Sequence, residues 1–191
     1  MKYTIVSLAF LAAMTTSAFV KADNHTITLG YAQSKVKDFK DIHGLNVKYR
    51  YEWNSPLSII TSFTYLKGSD DGTYSAARDI ITRHTDAKYY SLAVGPAYRI
   101  NSIFSIYGLV GFNHSKVDYN YNWNNYGGGG YTDMGNFNGS GKSTNFMYGA
   151  GVQINPWSSL TIDIGYEGSK ASYENKDYAI NGFNIGVGYR F

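Results

Sequence analysis

Apolar and polar residues alternate with a period of two along most of the chain. In the final stretch, NGFNIGVGYRF, one face carries Phe183, Ile185, Val187, Tyr189 and Phe191, and the other carries Asn184, Gly186, Gly188 and Arg190. A period of two places alternate side chains on opposite faces of a β-strand. The same rhythm runs through Ile27–Tyr31, Leu45–Glu52, Tyr90–Arg99, Asn145–Ile154 and Leu160–Glu167. It also runs through Leu57–Tyr65, where the adjacent Ile60 and Thr61 break it. In FSIYGLVGF the phase is ambiguous, and the preferred reading turns Phe104, Ile106, Val110 and Phe112 outward. Eight strands result.

The connections alternate too. Short ones fall at WNSP (53–56), INS (100–102) and NPWS (155–158). Longer polar ones fall near 35–43, 67–86, 117–142 and 172–180. Short turns at one end and long loops at the other, with an even strand count, describe a transmembrane β-barrel with periplasmic turns and extracellular loops. A soluble sandwich also alternates. Three features favour the membrane: aromatics at the strand ends of the apolar face, small and charged residues on the other face, and a terminal aromatic inside an alternating strand. The fold expected is all-β, an eight-stranded antiparallel transmembrane barrel.

Composition agrees. Mean hydropathy is −0.30, yet 17% of residues are aromatic, 19 of them tyrosine. A chain that shows lipid only every second residue gives both values. After the opening segment no apolar run approaches the ~18 residues of a membrane helix. The opening MKYTIVSLAFLAAMTTSAFVKA has a lysine, a short apolar core and small residues before Asp23, and reads as a secretory signal peptide over 1–22. A cut after Ala18 is the alternative. The barrel then spans 23–191. Removing Lys2 and Lys21 leaves 15 bases against 14 acids, so charge gives no reason to expect nucleic acid as a partner. Without cysteine there is no disulfide scaffold, thiolate metal site or lipidated N-terminal cysteine.

NFNGSGKST (136–144) imitates a phosphate-binding loop. The glycine that such a loop needs five residues before Gly141 is Asn136 instead, and STNFMYGAGVQI beyond it alternates as a strand rather than opening a helix. The segment reads as a loop between two strands. No cofactor is expected. The four histidines, His25, His43, His84 and His114, are scattered without metal-ligand spacing, and no enzyme is inferred.

Lys48, Arg50, Glu52, Arg99, Asp163, Glu167 and Arg190 fall on the inner face. An eight-stranded barrel has room for side chains and little else, so these four bases and three acids should pair into an ion network that fills the lumen. An ion or proton path is the rival. On the outer rim Lys35, Lys37, Lys40, Arg78, Arg83 and Lys88 mix with aspartates, as solubility alone would require. They would also suit lipopolysaccharide phosphates or an acidic polysaccharide. Tyr121, Trp123 and Tyr126 sit among asparagines and glycines in a paratope-like composition.

The segments GYAQS (30–34), NVKYRYE (46–52), NSPL (54–57), SFTY (62–65), GPAYRIN (95–101), SIYG (105–108), YGAGVQINP (148–156) and GVGYRF (186–191) resemble the OmpX/Ail/PagC group of enterobacterial outer-membrane proteins. The blocks cover nearly every strand and none of the long loops. The resemblance implies a monomeric eight-stranded barrel in outer-membrane lipid and lipopolysaccharide. Assembly machinery would insert it by reading the terminal strand, with Phe183, Ile185, Val187, Tyr189 and Phe191 as its signal. It also implies strands that run past the membrane and expose a sheet edge, and roles in virulence: adhesion, invasion or serum resistance. Host matrix, cell-surface or complement-regulatory proteins are the expected partners. A structural or envelope-stress role is the alternative.

Overall fold

A computed structural model describes residues 24–37, 39–76, 78–173 and 176–191. The leader expected over 1–22 and the first mature residue, Asp23, lie outside the described residues. Eight antiparallel strands follow in chain order: β1 (His25–Val36), β2 (Ile42–Glu52), β3 (Leu57–Ala76), β4 (Asp79–Arg99), β5 (Phe104–Gly127), β6 (Gly130–Trp157), β7 (Leu160–Tyr173) and β8 (Lys176–Arg190). Each pairs with its neighbours, and β8 returns to β1. The ring is locked where the chain ends meet. His25 N–H donates to the Phe191 carbonyl at 2.9 Å, and Phe191 N–H to that of His25 at 2.8 Å. Closure leaves no edge in the ring, which is the condition for crossing hydrocarbon with strands.

The outer face carries the apolar set. Leu92, Val94, Val110, Phe112, Ile185 and Val187 are all exposed, from 42% for Val94 to 66% for Phe112. Aromatic residues bound this band. Below, His25 stacks on Phe191, Phe191 on Tyr189, and Tyr51 meets Trp53 edge-on. Above, Tyr65 meets Tyr90, Phe112 meets Phe146 and Tyr148 meets Tyr166. On β8 the eight steps from Phe183 to Phe191 span ~27 Å of strand. At the usual ~40° tilt that is roughly 20 Å of membrane, close to the band height of such barrels.

Two expectations from sequence change. The long connections at 67–86 and 117–142 are paired strand, and 172–180 is largely so, with Tyr173 opposite Lys176. β3 and β4 stay in register up to Ala76 opposite Asp79, and β5 and β6 up to Gly127 opposite Gly130. NFNGSGKST accordingly lies inside β6 and is no loop. The tip needs only Gly128 and Gly129, at φ +61° and +88°. Positive φ at both central residues is what a tight two-residue hairpin turn requires, and glycine meets it without strain.

The second change concerns the lumen, which is not polar throughout. Ile60 is fully buried inside while Thr61 turns outward, so alternation on β3 continues unbroken through the pair that seemed to interrupt it. Ile60 packs with Ala93, Ala97, Tyr107, Leu109 and Met147. An interior this narrow is a packed core. One wall of it is apolar, so the ionic residues gather on the other.

Candidate functional site

The lumen contacts form three levels. At the periplasmic end Glu52 gathers three guanidinium groups: Arg50 at 2.6 Å, Arg190 at 2.7 Å, and Arg99. Arg50 also donates to Ser58 at 2.8 Å and Gln153 at 3.0 Å. One level up, Lys48 and Asp163 pair at 2.5 Å with both side chains about 1% exposed. Lys48 donates further to Asn46 and Asn184, and Asp163 accepts from Tyr107 and Gln153. Above that, Glu167 accepts from Thr64 at 2.8 Å and Tyr89 at 2.6 Å. Its partners are hydroxyls rather than any of the four bases expected to pair. Ile42, Leu66, Ala87, Tyr89, Ala171 and Ile180 then close the top with apolar packing.

The second region stands outside the membrane. β3, β4, β5 and β6 rise well past the upper aromatic ring, while β1, β2, β7 and β8 stop near it. The last paired residues flanking this tower are His43 with Lys67 on one side and Met147 with Ser169 on the other. Above them β3 and β6 are edge strands.

Register divides the tower into two faces. Tyr74 stands opposite Ile81, and Ile81 opposite Trp123; Arg83 stands opposite Tyr121, and Tyr121 opposite Phe137. One rung lower Tyr119 faces Gly139. Tyr119, Tyr121 and Trp123 therefore share one face by parity, and the Tyr119 and Tyr121 rings meet edge-on at 5.6 Å. Phe137, 59% exposed, completes the patch from β6. Sequence reading passed over it because it sits in the look-alike motif. The glycines of that motif seat rings. A Cβ on Gly139 would lie within 2.3 Å of the Tyr119 hydroxyl, and one on Gly141 within 2.1 Å of the Tyr173 ring.

The opposite face is polar: His84 opposite Asn120, Asn120 opposite Asn138, and Asn122 opposite Asn136. His84 reaches Asp71 at 2.5 Å and Asp86 at 3.3 Å. The hydrogen bond and charge of Asp71 raise its pKa above the usual histidine value. At the tips, Asp79 accepts from the Trp123 indole at 3.0 Å and the Tyr126 N–H at 2.8 Å, and Arg78 lies 5.6 Å from the Tyr126 ring centre. These contacts staple one hairpin to the other.

The expected rim cations disperse. Lys40 and Arg83 both pair with Asp70, at 3.0 and 2.8 Å, and hold its carboxyl below the usual range. Lys35 and Lys37 are exposed at the end of β1. Lys88 belongs to a row that sequence spacing conceals. Lys67, Lys88, Lys116 and Lys142 are successive partners across β3 to β6, one rung above the Tyr65–Tyr90 pair and next to His43. Among the described residues only Lys116 of the four has an ion pair, with Asp118 at 2.8 Å. Like charges directly opposite each other are unfavourable, so the row concentrates uncompensated positive charge on the outward face at the foot of the tower.

The outer-membrane protein β-barrel domain model matches residues 6–191. The virulence membrane protein PagC of Salmonella typhimurium is 44% identical over 184 residues, 93% of this chain and 95% of the relative. The attachment invasion locus protein of Yersinia enterocolitica is 33% identical over the whole of both chains, and outer membrane protein X of Escherichia coli K12 is 35% identical over 97% and 95%. Among solved structures, Ail of Yersinia pestis in complex with the heparin analogue sucrose octasulfate superposes with a TM-score of 0.67 at 32% identity, over 90% of this chain and 100% of that one. Neisserial surface protein A, at 17% identity and TM-score 0.53, shares the fold. With its closed eight-strand ring, lipid-facing apolar band and these relatives, the chain belongs to the OmpX/Ail/PagC family of outer-membrane β-barrel proteins.

Proposed function

We propose that this outer-membrane barrel displays the β3–β6 tower as an adhesive surface for host matrix, cell-surface or complement-regulatory proteins. One observation carries the reading: a stapled, two-faced sheet stands clear of the membrane with its aromatic face open and its β6 edge unpaired. Rigid aromatic rings supply large contact area at low entropic cost. A free edge adds main-chain hydrogen bonds to any extended segment that docks there. Virulence and attachment-invasion relatives support the reading. The test is a strain carrying Tyr121→Ser, Trp123→Ser and Phe137→Ser, with surface level matched to wild type. Host-cell binding and serum survival should both fall; if neither changes, the reading is wrong.

The lysine row favours a second ligand class. Four ammonium groups on adjacent strands ~4.8 Å apart span about 15 Å and suit the repeated charges of a sulfated polysaccharide or of lipopolysaccharide phosphates. The Ail structure with a heparin analogue supports the former. Lys88→Gln with Lys142→Gln should weaken heparin retention and flatten its salt dependence. Retention that is unchanged at low salt would dismiss it. The lumen contacts serve to keep the barrel closed. Planar-bilayer recordings should show no steady large conductance, and finding one would refute that role.

A further inference from the structure

At the external mouth, between the tower and the short strands, lies a basin of about 700 Å³. That is within the ~300–1,000 Å³ of small-molecule sites. Its floor is Ile42, Ala87, Tyr89, Ala171 and Ile180, all under 10% exposed. Phe39, Val117, Tyr121 and Tyr173 form the walls. No passage leads downward, because Tyr89 is bound to Glu167 and the levels beneath are filled.

We propose that this basin binds an amphipathic anion, a compact apolar body bearing one carboxylate or sulfonate. Part of the wall's polar set is already engaged. The Tyr173 hydroxyl donates to the Gly141 carbonyl at 3.0 Å, Ser115 accepts from Asn113, and Ser172 donates to Asp177 and Asn145. The buried floor offers only apolar contact apart from the Tyr89 hydroxyl, which Glu167 holds, and this disfavours a glycan. Charge selects the sign. Lys37, Lys88 and Lys142 are among the lining residues and, among the described residues, no carboxylate is. Lys88 and Lys142 occupy outward positions of their strands, and Lys37 stands just past the end of β1. Its N–H is tied to the Ala179 carbonyl at 3.0 Å, one residue beyond the Val36–Ile180 pair, and among the described residues it has no ion pair. The site shares Tyr121 with the adhesive patch and Lys88 and Lys142 with the lysine row, but its floor at Ile42, Ala87, Ala171 and Ile180 belongs to neither, so filling that floor tests it alone.

The test uses the mature chain in nanodiscs of zwitterionic lipid, with isoleucine methyls followed by NMR. The probes are 8-anilinonaphthalene-1-sulfonate and N-phenyl-1-naphthylamine, which share an aromatic body and differ in the sulfonate. The sulfonate should shift Ile42 and Ile180 saturably and leave lipid-facing Ile185 still. Ala171→Phe should abolish those shifts; if that variant misfolds, Ala87→Leu fills the same floor from β4. Lys37→Gln should weaken the sulfonate roughly 3–5-fold, as expected for one solvated charge, without altering the neutral probe. Shifts confined to Ile185 would mean partition into lipid and would overturn the proposal. So would a filled basin that binds as wild type, or a Lys37 change that leaves sulfonate affinity intact.

Discussion

Replacing Asp163 with alanine tests most directly whether the lumen is dry. Its carboxylate accepts from Lys48 at 2.5 Å, Tyr107 at 3.0 Å and Gln153 at 3.0 Å. The change leaves an ammonium that is about 1% exposed with only the amide oxygens of Asn46 and Asn184. Breaking a buried pair from one side costs about 3–5 kcal/mol, because the remaining buried charge loses its directly paired counter-ion. Lys48→Met should fall near the lower end of that range, since the carboxylate keeps its two neutral donors. The double variant Lys48→Met, Asp163→Ala removes both charges and should cost no more than either single change, giving a coupling of several kcal/mol. Equilibrium urea unfolding from liposomes provides the assay, read by the emission of Trp53, Trp123 and Trp157. If Asp163→Ala loses less than ~1 kcal/mol, or the two changes simply add, water screens the pair and the filled-lumen argument fails.

Three further outcomes follow from the same geometry. Val94 lies midway between Tyr90 and Tyr98 on the outer face of β4; Val94→Arg should cost ~2–4 kcal/mol in liposome unfolding, and a neutral result would contradict the placement of the bilayer. The raised pKa of His84 means that its clamp on Asp71 and Asp86 is complete below the unfolded histidine value of ~6.5 and is lost as pH rises through the folded value. Amide protection at the β3–β4 tip should therefore drop over that window in wild type and stay flat in His84→Gln; parallel profiles would refute the clamp. Deleting Phe191 removes the ring stacked between His25 and Tyr189, and insertion by the assembly machinery should slow; unchanged kinetics in reconstituted membranes would remove Phe191 from the signal.

The barrel was legible because its rule is local. Lipid and lumen alternate at every step, so Phe183 to Phe191 announce strand, face and membrane together. The ambiguous stretch at 104–112 was resolved by packing that sequence cannot display: Tyr107 reaches Asp163 across the lumen while Leu109 joins Ile60 on the apolar wall. Ile60 looked like an error for the same reason, because parity says which residues point inward but not what they meet there. Above the membrane the rule weakens. Asn, Gly, Ser and Tyr serve equally in loops and in solvated strands, so 117–142 looked irregular. Only register brought Phe137 beside Tyr121 and aligned Lys67, Lys88, Lys116 and Lys142.

Cross-strand register also separates the two parts of the molecule. In the ring each strand is held on both sides, and its inner residues, such as Glu52 with three arginines, depend on several strands at once. A substitution there disturbs a shared network. In the tower the contacts are between nearest neighbours: Tyr119 over Gly139, Asp79 to Trp123, His84 between two aspartates of the same hairpin. Changes to these contacts should stay where they are made. The tower can therefore exchange its aromatic face for another without unsettling the closed ring beneath it. That is the physical basis for expecting the two serum and adhesion phenotypes to follow tower residues, while stability in the membrane follows Lys48 and Asp163.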